Sequence, residues 1–181
     1  LTEFFYPNSL NNEFESNNIS IDKMNKYKKV KFGLNVVLGE NVKIGTNSSV
    51  GHNTIIESNV LIGNNCNIGS NVIIKKTIIG NGVSILDGAI IGKKGFGFFP
   101  KKNKNINYPH IGMVLIGNNV EIGCNNTIDR GSLSNTIIGD NSFLDNQVHI
   151  AHNVKIGNNC IITGQVGIAG SSTIGNNVMI G

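Results

Sequence analysis

The chain has 181 residues, enough for one domain or one domain with an appendage. Asn (31), Ile (28) and Gly (23) dominate it, while charged residues are only 14%, against roughly 25% in ordinary globular domains. All three dominant residues are mediocre or poor helix formers, which excludes a helical domain. Abundant Ile with a formal net charge of only +4 excludes a disordered chain. A β-rich, turn-dense repeat remains. Cys66, Cys124 and Cys160 are odd in number and widely spaced, so they suggest neither a disulfide framework nor a zinc site and fit a reducing compartment. There is no run of about 18 apolar residues and no signal-peptide pattern at Leu1 to Phe5, so a membrane span is not expected. A pI near 9.0 would suit an acidic partner, but Lys and Asn enrichment accounts for it more simply, and nucleic acid is not expected.

In chain order, Asn8 to Lys29 is polar and carries no repeat. Residues 1–35 read as a linker or the remnant of an N-terminal region, with no site. Residues 36–181 read as one repeat domain. Within it an aliphatic residue recurs every six positions: Leu38 to Ile74, then Ile79, Ile85 and Ile91, then Ile116, Ile122 and Ile128, then Ile138 and Leu144 to Ile180. The residue after the aliphatic is Gly in 13 of these 21 hexads, which makes the corner as regular as the strand. The third and fourth positions are often Asn, and the fifth is small or β-branched (Val42, Ser48, Thr54, Cys66). Lead and fifth residues are expected to point inward, and Gly and Asn to turn the corner through positive φ. Six residues keep strand parity but return a helix to no common face. Units this short bury an apolar face only when stacked.

This hexad resembles the hexapeptide-repeat transferase family. The resemblance implies an all-β left-handed parallel β-helix, three hexads per triangular coil, about seven coils with one long inserted loop, and a homotrimer.

The repeat breaks in three places. The step from Ile74 to Ile79 is one residue short, the step from Ile91 to Ile116 inserts 19 residues, and the step from Ile128 to Ile138 inserts four. At three hexads per coil, Leu38, Ile56, Ile74, Ile91, Ile128, Ile150 and Ile168 fall on one face. Both insertions then leave the same corner one coil apart, where loops commonly carry function. The long loop holds Phe96, Phe98 and Phe99 between glycines and a prolyl residue, either lining a groove or packing on the solenoid. Lys101, Lys102 and Lys104 read as a solvated face, with docking of an acidic carrier as the sharper alternative. Asp129 and Arg130, at the mouth of the short insertion, are expected to pair with each other.

Asp145 and Ala151 stand where Gly is usual, in a stretch that holds His149 and His152. His149 is expected to point outward and His152 to sit at a corner. Two histidines three apart are too few for a closed zinc site, and no metal is expected. A lone exposed His suits general-base catalysis. One coil above His152 lies Gly170, about 4.8 Å away by strand spacing, and its N–H is placed to stabilise an acyl-transfer oxyanion.

Five segments, Gly95-Phe96-Gly97-Phe98, Pro109-His110-Ile111-Gly112, Thr127-Ile128-Asp129-Arg130-Gly131, Leu144-Asp145-Asn146-Gln147 and Ile150-Ala151-His152-Asn153, resemble the UDP-3-O-acylglucosamine N-acyltransferases of lipid A biosynthesis. The resemblance implies a cytoplasmic enzyme. It would move an R-3-hydroxyacyl group from acyl carrier protein, where phosphopantetheine carries it, to the 2-amine of a UDP-3-O-acylglucosamine. No separate cofactor is implied. His152 would be the general base, Asp145 its assistant and Gly170 the oxyanion donor, with Asn146, Gln147, His149, Phe96, Phe98 and Arg130 at the substrate. The family also has a uridine-binding N-terminal domain and a C-terminal helical extension, so this chain, ending at Gly181, reads as a fragment. The competing readings are the sister O-acyltransferase of UDP-N-acetylglucosamine, against which the Asp-Arg-Gly and Phe segments argue, and a non-catalytic solenoid such as an ice binder, against which scattered Thr argues.

Overall fold

Each hexad forms a two-residue strand and a corner, and successive corners fold the strands onto three faces. The computed structural model describes Phe4, Tyr6, Tyr27 and residues 29–181; most of the segment read as a linker lies outside the described residues. Three parallel sheets of eight, seven and seven strands run along an all-β solenoid, with one antiparallel pair outside them. The first rung is Lys31–Phe32, one hexad before Leu38, paired with Ser49–Val50. Phe32 there meets Tyr27 edge-on at 5.8 Å.

Call the face that begins with Val37–Leu38 face A, the next in the chain (from Lys43–Ile44) face C, and the third (from Lys31–Phe32) face B. Leu38, Ile56, Ile74, Ile91, Ile128, Ile150 and Ile168 stack in register on face A, as the spacing predicts. Most lead residues are fully buried, as are fifth-position Val42, Val60, Val72 and Cys160. Each buried Ile stabilises the solenoid by roughly 1.5–3 kcal/mol. Polar fifth positions serve the next coil: Ser48 accepts from Cys66 N (3.0 Å) and donates to the Gly63 carbonyl (3.2 Å).

At the corners Gly and Asn divide the work that the sequence reading had given to both. Positive φ falls mainly on the fourth position, where Asn41, Asn47, Asn53 and Asn59 have φ of 56° to 65° and their equivalents span 54° (Asn119) to 76° (Gly88). Asn tolerates this region because its short amide bonds locally. The second-position Gly is required for closeness instead. A Cβ on Gly39 would lie 2.3 Å from Ser58 N in the next coil.

The corner between faces A and C is the irregular one. The short step after Ile74 is absorbed by Lys75 and Lys76, with Lys76 at φ 42°. Both insertions leave this corner. The three-residue strands Thr77–Ile79, Val114–Ile116 and Thr136–Ile138, which follow its irregular turns, stack on face C.

Candidate active site

Gly92 starts the long loop. Its φ is 78°, and a Cβ there would sit 1.6 Å from the Lys75 carbonyl oxygen, so only Gly lets the chain turn outward. The loop then makes an antiparallel hairpin, Phe98–Lys101 with Lys104–Asn107, joined by Lys102-Asn103. On its return it rests on the short insertion: Ile111 N donates to Ser132 O (2.8 Å), Gly112 N to Ser132 O (2.9 Å) and Thr136 N to Met113 O (3.0 Å). The two insertions are therefore one unit, the short one acting as a shelf for the long one.

This unit overhangs His152. Asn153 ties the shelf down and sets the imidazole. Its Nδ2 donates to Ser134 O (3.1 Å) and Ser134 Oγ (2.8 Å), which identifies the other amide atom as oxygen. That Oδ1 accepts from Ser132 N (3.1 Å) and Ser132 Oγ (2.7 Å), and lies 3.0 Å from His152 Nδ1. An amide oxygen only accepts, so the neutral His152 ring carries its proton on Nδ1. Its Nε2 keeps a lone pair. Gly170 lies on the adjacent coil, with Ser171 N bonded to His152 O (2.9 Å), and a Cβ at 170 would be 2.8 Å from both Cε1 and Nε2 of the ring. A Cβ at Gly95, on the loop side, would be 2.8 Å from His152 Cβ. Two glycines from different segments thus make room for one imidazole. The result is a cleft of about 370 Å3 lined by Phe96, His149, Ala151, His152, Gly167 and Gly170.

Behind His152 stands a second histidine. His110 is only 2% exposed, and its ring meets His152 edge-on at 5.1 Å. Its Nδ1 donates to Tyr108 O (3.0 Å), while its buried Nε2 has no partner among the described residues. Burial holds its pKa below the usual histidine range, His152 and Arg130 add to the shift, and the Tyr108 carbonyl and Asp129 oppose it. Arg130 Nε donates to the His110 carbonyl (2.8 Å), and burial pushes its own pKa down against the pull of Glu57. Asp129 is 1% exposed and pairs with Lys93. The expected Asp129–Arg130 pair is not formed: each side chain reaches into the long loop instead, because that loop, invisible to hexad counting, supplies closer partners.

Phe96 is 82% exposed within the chain and stacks edge-on with Phe98 at 5.2 Å, and Phe99 does the same with Tyr108. Phe96 alone of these aromatics lines the cleft, and the loop aromatics pack on one another. His149 points outward from face A, its Nδ1 2.7 Å from Thr127 Oγ1. Asp145, Asn146 and Gln147 sit on a different corner, between faces B and A. There Asp145 Oδ1 accepts from Asn146 Nδ2 (2.9 Å), Asn146 Oδ1 from Cys124 N (2.7 Å), and Gln147 Oε1 from Gln165 Nε2 (3.1 Å). Within one chain the structure brings together His152, Gly170, His149 and Phe96, but not the Asp145 group. Among the described residues no three or more His, Cys, Asp or Glu cluster as a metal site.

Two residues of the site escaped sequence reasoning. Asn153 occupies the ordinary positive-φ position of its hexad, so a structural explanation already covered it. His110 lies in the loop, where no repeat register exists to place it.

Residues 35–70 and 135–170 match the family described as Bacterial transferase hexapeptide (six repeats). The more particular likeness is to UDP-3-O-acylglucosamine N-acyltransferases. The chain is 56% identical over 82 residues to one from Legionella pneumophila (45% of this chain, 24% of that protein). It is 59% identical over 71 residues to one from Dechloromonas aromatica (39% and 20%). The matched stretch therefore spans about a quarter of the length of these relatives. Among solved structures, the UDP-N-acetylglucosamine acyltransferase of Campylobacter jejuni superposes with a TM-score of 0.68 at 25% identity, covering 82% of this chain and 64% of that one. A hexapeptide transferase family protein from Anaplasma phagocytophilum (TM-score 0.60, 15% identity, 84% and 78% covered) shares the fold.

Proposed function

We propose that the chain is the catalytic solenoid of an N-acyltransferase that moves a 3-hydroxyacyl group from the thioester of acyl carrier protein to the 2-amine of UDP-3-O-acylglucosamine. The observation that carries this reading is His152, with Nδ1 committed to Asn153 and Nε2 open toward Gly170 in a largely apolar cleft. The relatives' names supply the substrate pair. The nucleophilic amine attacks the thioester carbonyl while Nε2 takes its proton. The Gly170 N–H stabilises the oxyanion, and collapse of the tetrahedral intermediate expels the phosphopantetheine thiolate, to which the proton returns. Apolar Phe96 and Ala151 receive the acyl chain, and His149 stands at the cleft for the sugar. Asp145, Asn146, Gln147 and Arg130 serve the substrate from outside this cleft. The Asp145 group joins His152 across a subunit boundary if the protein is a homotrimer. Phe143 and Ile161, stacked and exposed on face B, support such an assembly. Free Cys66, Cys124 and Cys160 suit the cytoplasm, and among the described residues no helix is long and apolar enough to cross a membrane.

The test is acyl transfer from a 3-hydroxyacyl carrier protein to UDP-3-O-acylglucosamine, with UDP-N-acetylglucosamine as the competing acceptor. Turnover of the first acceptor, lost in His152→Ala, is expected. Turnover of only the second would replace this reading by the O-acyltransferase.

A further inference from the structure

His110 is a poor choice for the place it fills if packing is its only task. It is 2% exposed, its Nδ1–H goes to Tyr108 O at 3.0 Å, and its Nε2 lone pair has no partner among the described residues. A buried acceptor left bare destabilises a fold, and a phenyl ring would fill the same space without that cost. The seat is nonetheless built closely around this ring. A Cβ at Gly97 would lie 2.8 Å from its Cε1, and a Cβ at Gly95 would lie 2.9 Å from its Nε2 and 2.8 Å from Cβ of His152. Arg130 Nε holds the His110 carbonyl at 2.8 Å, and Tyr108 meets the ring edge-on at 5.9 Å. These contacts set the ring's direction. Nδ1 turns toward Tyr108, so Nε2 is the edge that looks across Gly95 at His152, whose ring lies 5.1 Å away centroid to centroid. In a neutral imidazole that bare nitrogen is the negative end of the ring dipole.

We infer that His110 is a positioning residue for His152: its buried ring presents a fixed lone pair that favours the cation His152 becomes on taking the proton of the attacking amine. His152 has no carboxylate bonded to it for that purpose within the chain, because the side chain bonded to its ring is the neutral amide of Asn153. The titratable and charged groups around the two rings are Tyr108, Arg130 and Asp129 beside His110, with Lys93 paired to Asp129, and His149 in the cleft. His110 itself gains and loses no proton. The proton passes from the amine to Nε2 of His152 and on to the leaving thiolate. The inference rests on the acyltransferase reading for its reaction and on the packing alone for the pairing of the rings.

The experiment compares wild type with His110→Phe and His110→Gln in the full chain. Phe keeps a ring and loses the acceptor, whereas Gln keeps a neutral acceptor of similar reach. One arm measures kcat and KM against pH for transfer from a 3-hydroxyacyl carrier protein to UDP-3-O-acylglucosamine. The other follows protonation of the His152 ring by 15N NMR without substrates, together with Tm. In the Phe variant the plateau kcat should fall about three- to tenfold, the worth of one polar interaction, with KM little changed because the effect is made in the transition state. Its acid limb should move to lower pH, the His152 ring should need lower pH to protonate, and Tm should hold or rise. The Gln variant should lie nearer wild type in every one of these rate and protonation readouts. A Phe variant that matches wild type in kcat and pH profile would overturn the inference and leave the ring as packing. Equal losses in both variants with a lowered Tm would overturn it by assigning the loss to the seat of the loop. A His152 ring harder to protonate in the Phe variant, in a protein that never acylates the sugar, would preserve the inference and remove the N-acyltransferase reading. Intact transfer with identical ring titrations in all three proteins would do the reverse.

Discussion

The corner after face C and the corner after face A use the same six-residue unit to opposite effect. After face C, Thr46 N, Asn64 N, Asn81 N, Asn118 N, Asp140 N and Asn158 N each donate to the side-chain oxygen one coil on, at 2.7–2.9 Å. That column is closed: each coil's polar groups are consumed by the next. After face A no two coils agree. Glu57 pairs with Lys75 at 2.5 Å, the next coil leaves as the long loop, the next carries the shelf, and the next presents His152. Among the described residues, the Nε2 atoms of His152 and of buried His110 keep no hydrogen-bond partner there. The difference teaches that a solenoid gains chemistry by interrupting its repeat, because a regular ladder leaves no reactive atom free.

The sharpest break of this comparison is His152→Ala. On the proposed mechanism its loss should cut kcat by roughly 10²–10⁴-fold, while Tm stays near wild type because the side chain stands at a surface corner. A large Tm loss would place His152 in the closed class. Gly170→Ala comes next. Its Cβ would displace the imidazole rather than backbone, so turnover should fall by about 10²-fold, the cost of misplacing a catalytic group by about 1 Å, with thermal melting little changed. Gly39→Ala is the opposing case. Its Cβ meets Ser58 N in the next coil, so overpacking should cost about 1–3 kcal/mol in denaturant unfolding with kcat of the folded protein preserved. The smallest effect is a pH dependence. The folded pKa of His110 lies below its unfolded value near 6.5. Its neutral burial is therefore fully stabilising above about pH 6.5, and stability should fall as pH drops toward the folded pKa. His110→Gln should flatten that slope in Tm measured against pH, and an unchanged slope would assign the acid sensitivity elsewhere.

Much of the regular architecture was legible in the chain. Ile every six residues gave the inward rows, and the 18-residue coil placed Gly170 beside His152 because parallel in-register stacking preserves counting. Three things were not legible. The counting lapses in the loop, so the seating of His110 against His152 had no register to reveal it. The Lys93–Asp129 pair and the Arg130–His110 bond join segments brought together only by the shelf. Asn153 looked like another left-handed corner residue, and its role as the acceptor for His152 Nδ1 depends on which way a side-chain amide faces.

The sequence by itself determined the period, the core rows, the corner where the repeat fails and the histidine mounted there, because strand parity and the need to bury aliphatic residues admit few alternatives. Only the tertiary structure decided how Gly and Asn share the corners, close approach for one and positive φ for the other. It alone decided the state of the His152 ring and the fact that one chain leaves Asp145 on a separate corner. Those outcomes depend on distances between coils and on the packing of one inserted segment over another, which no local pattern encodes.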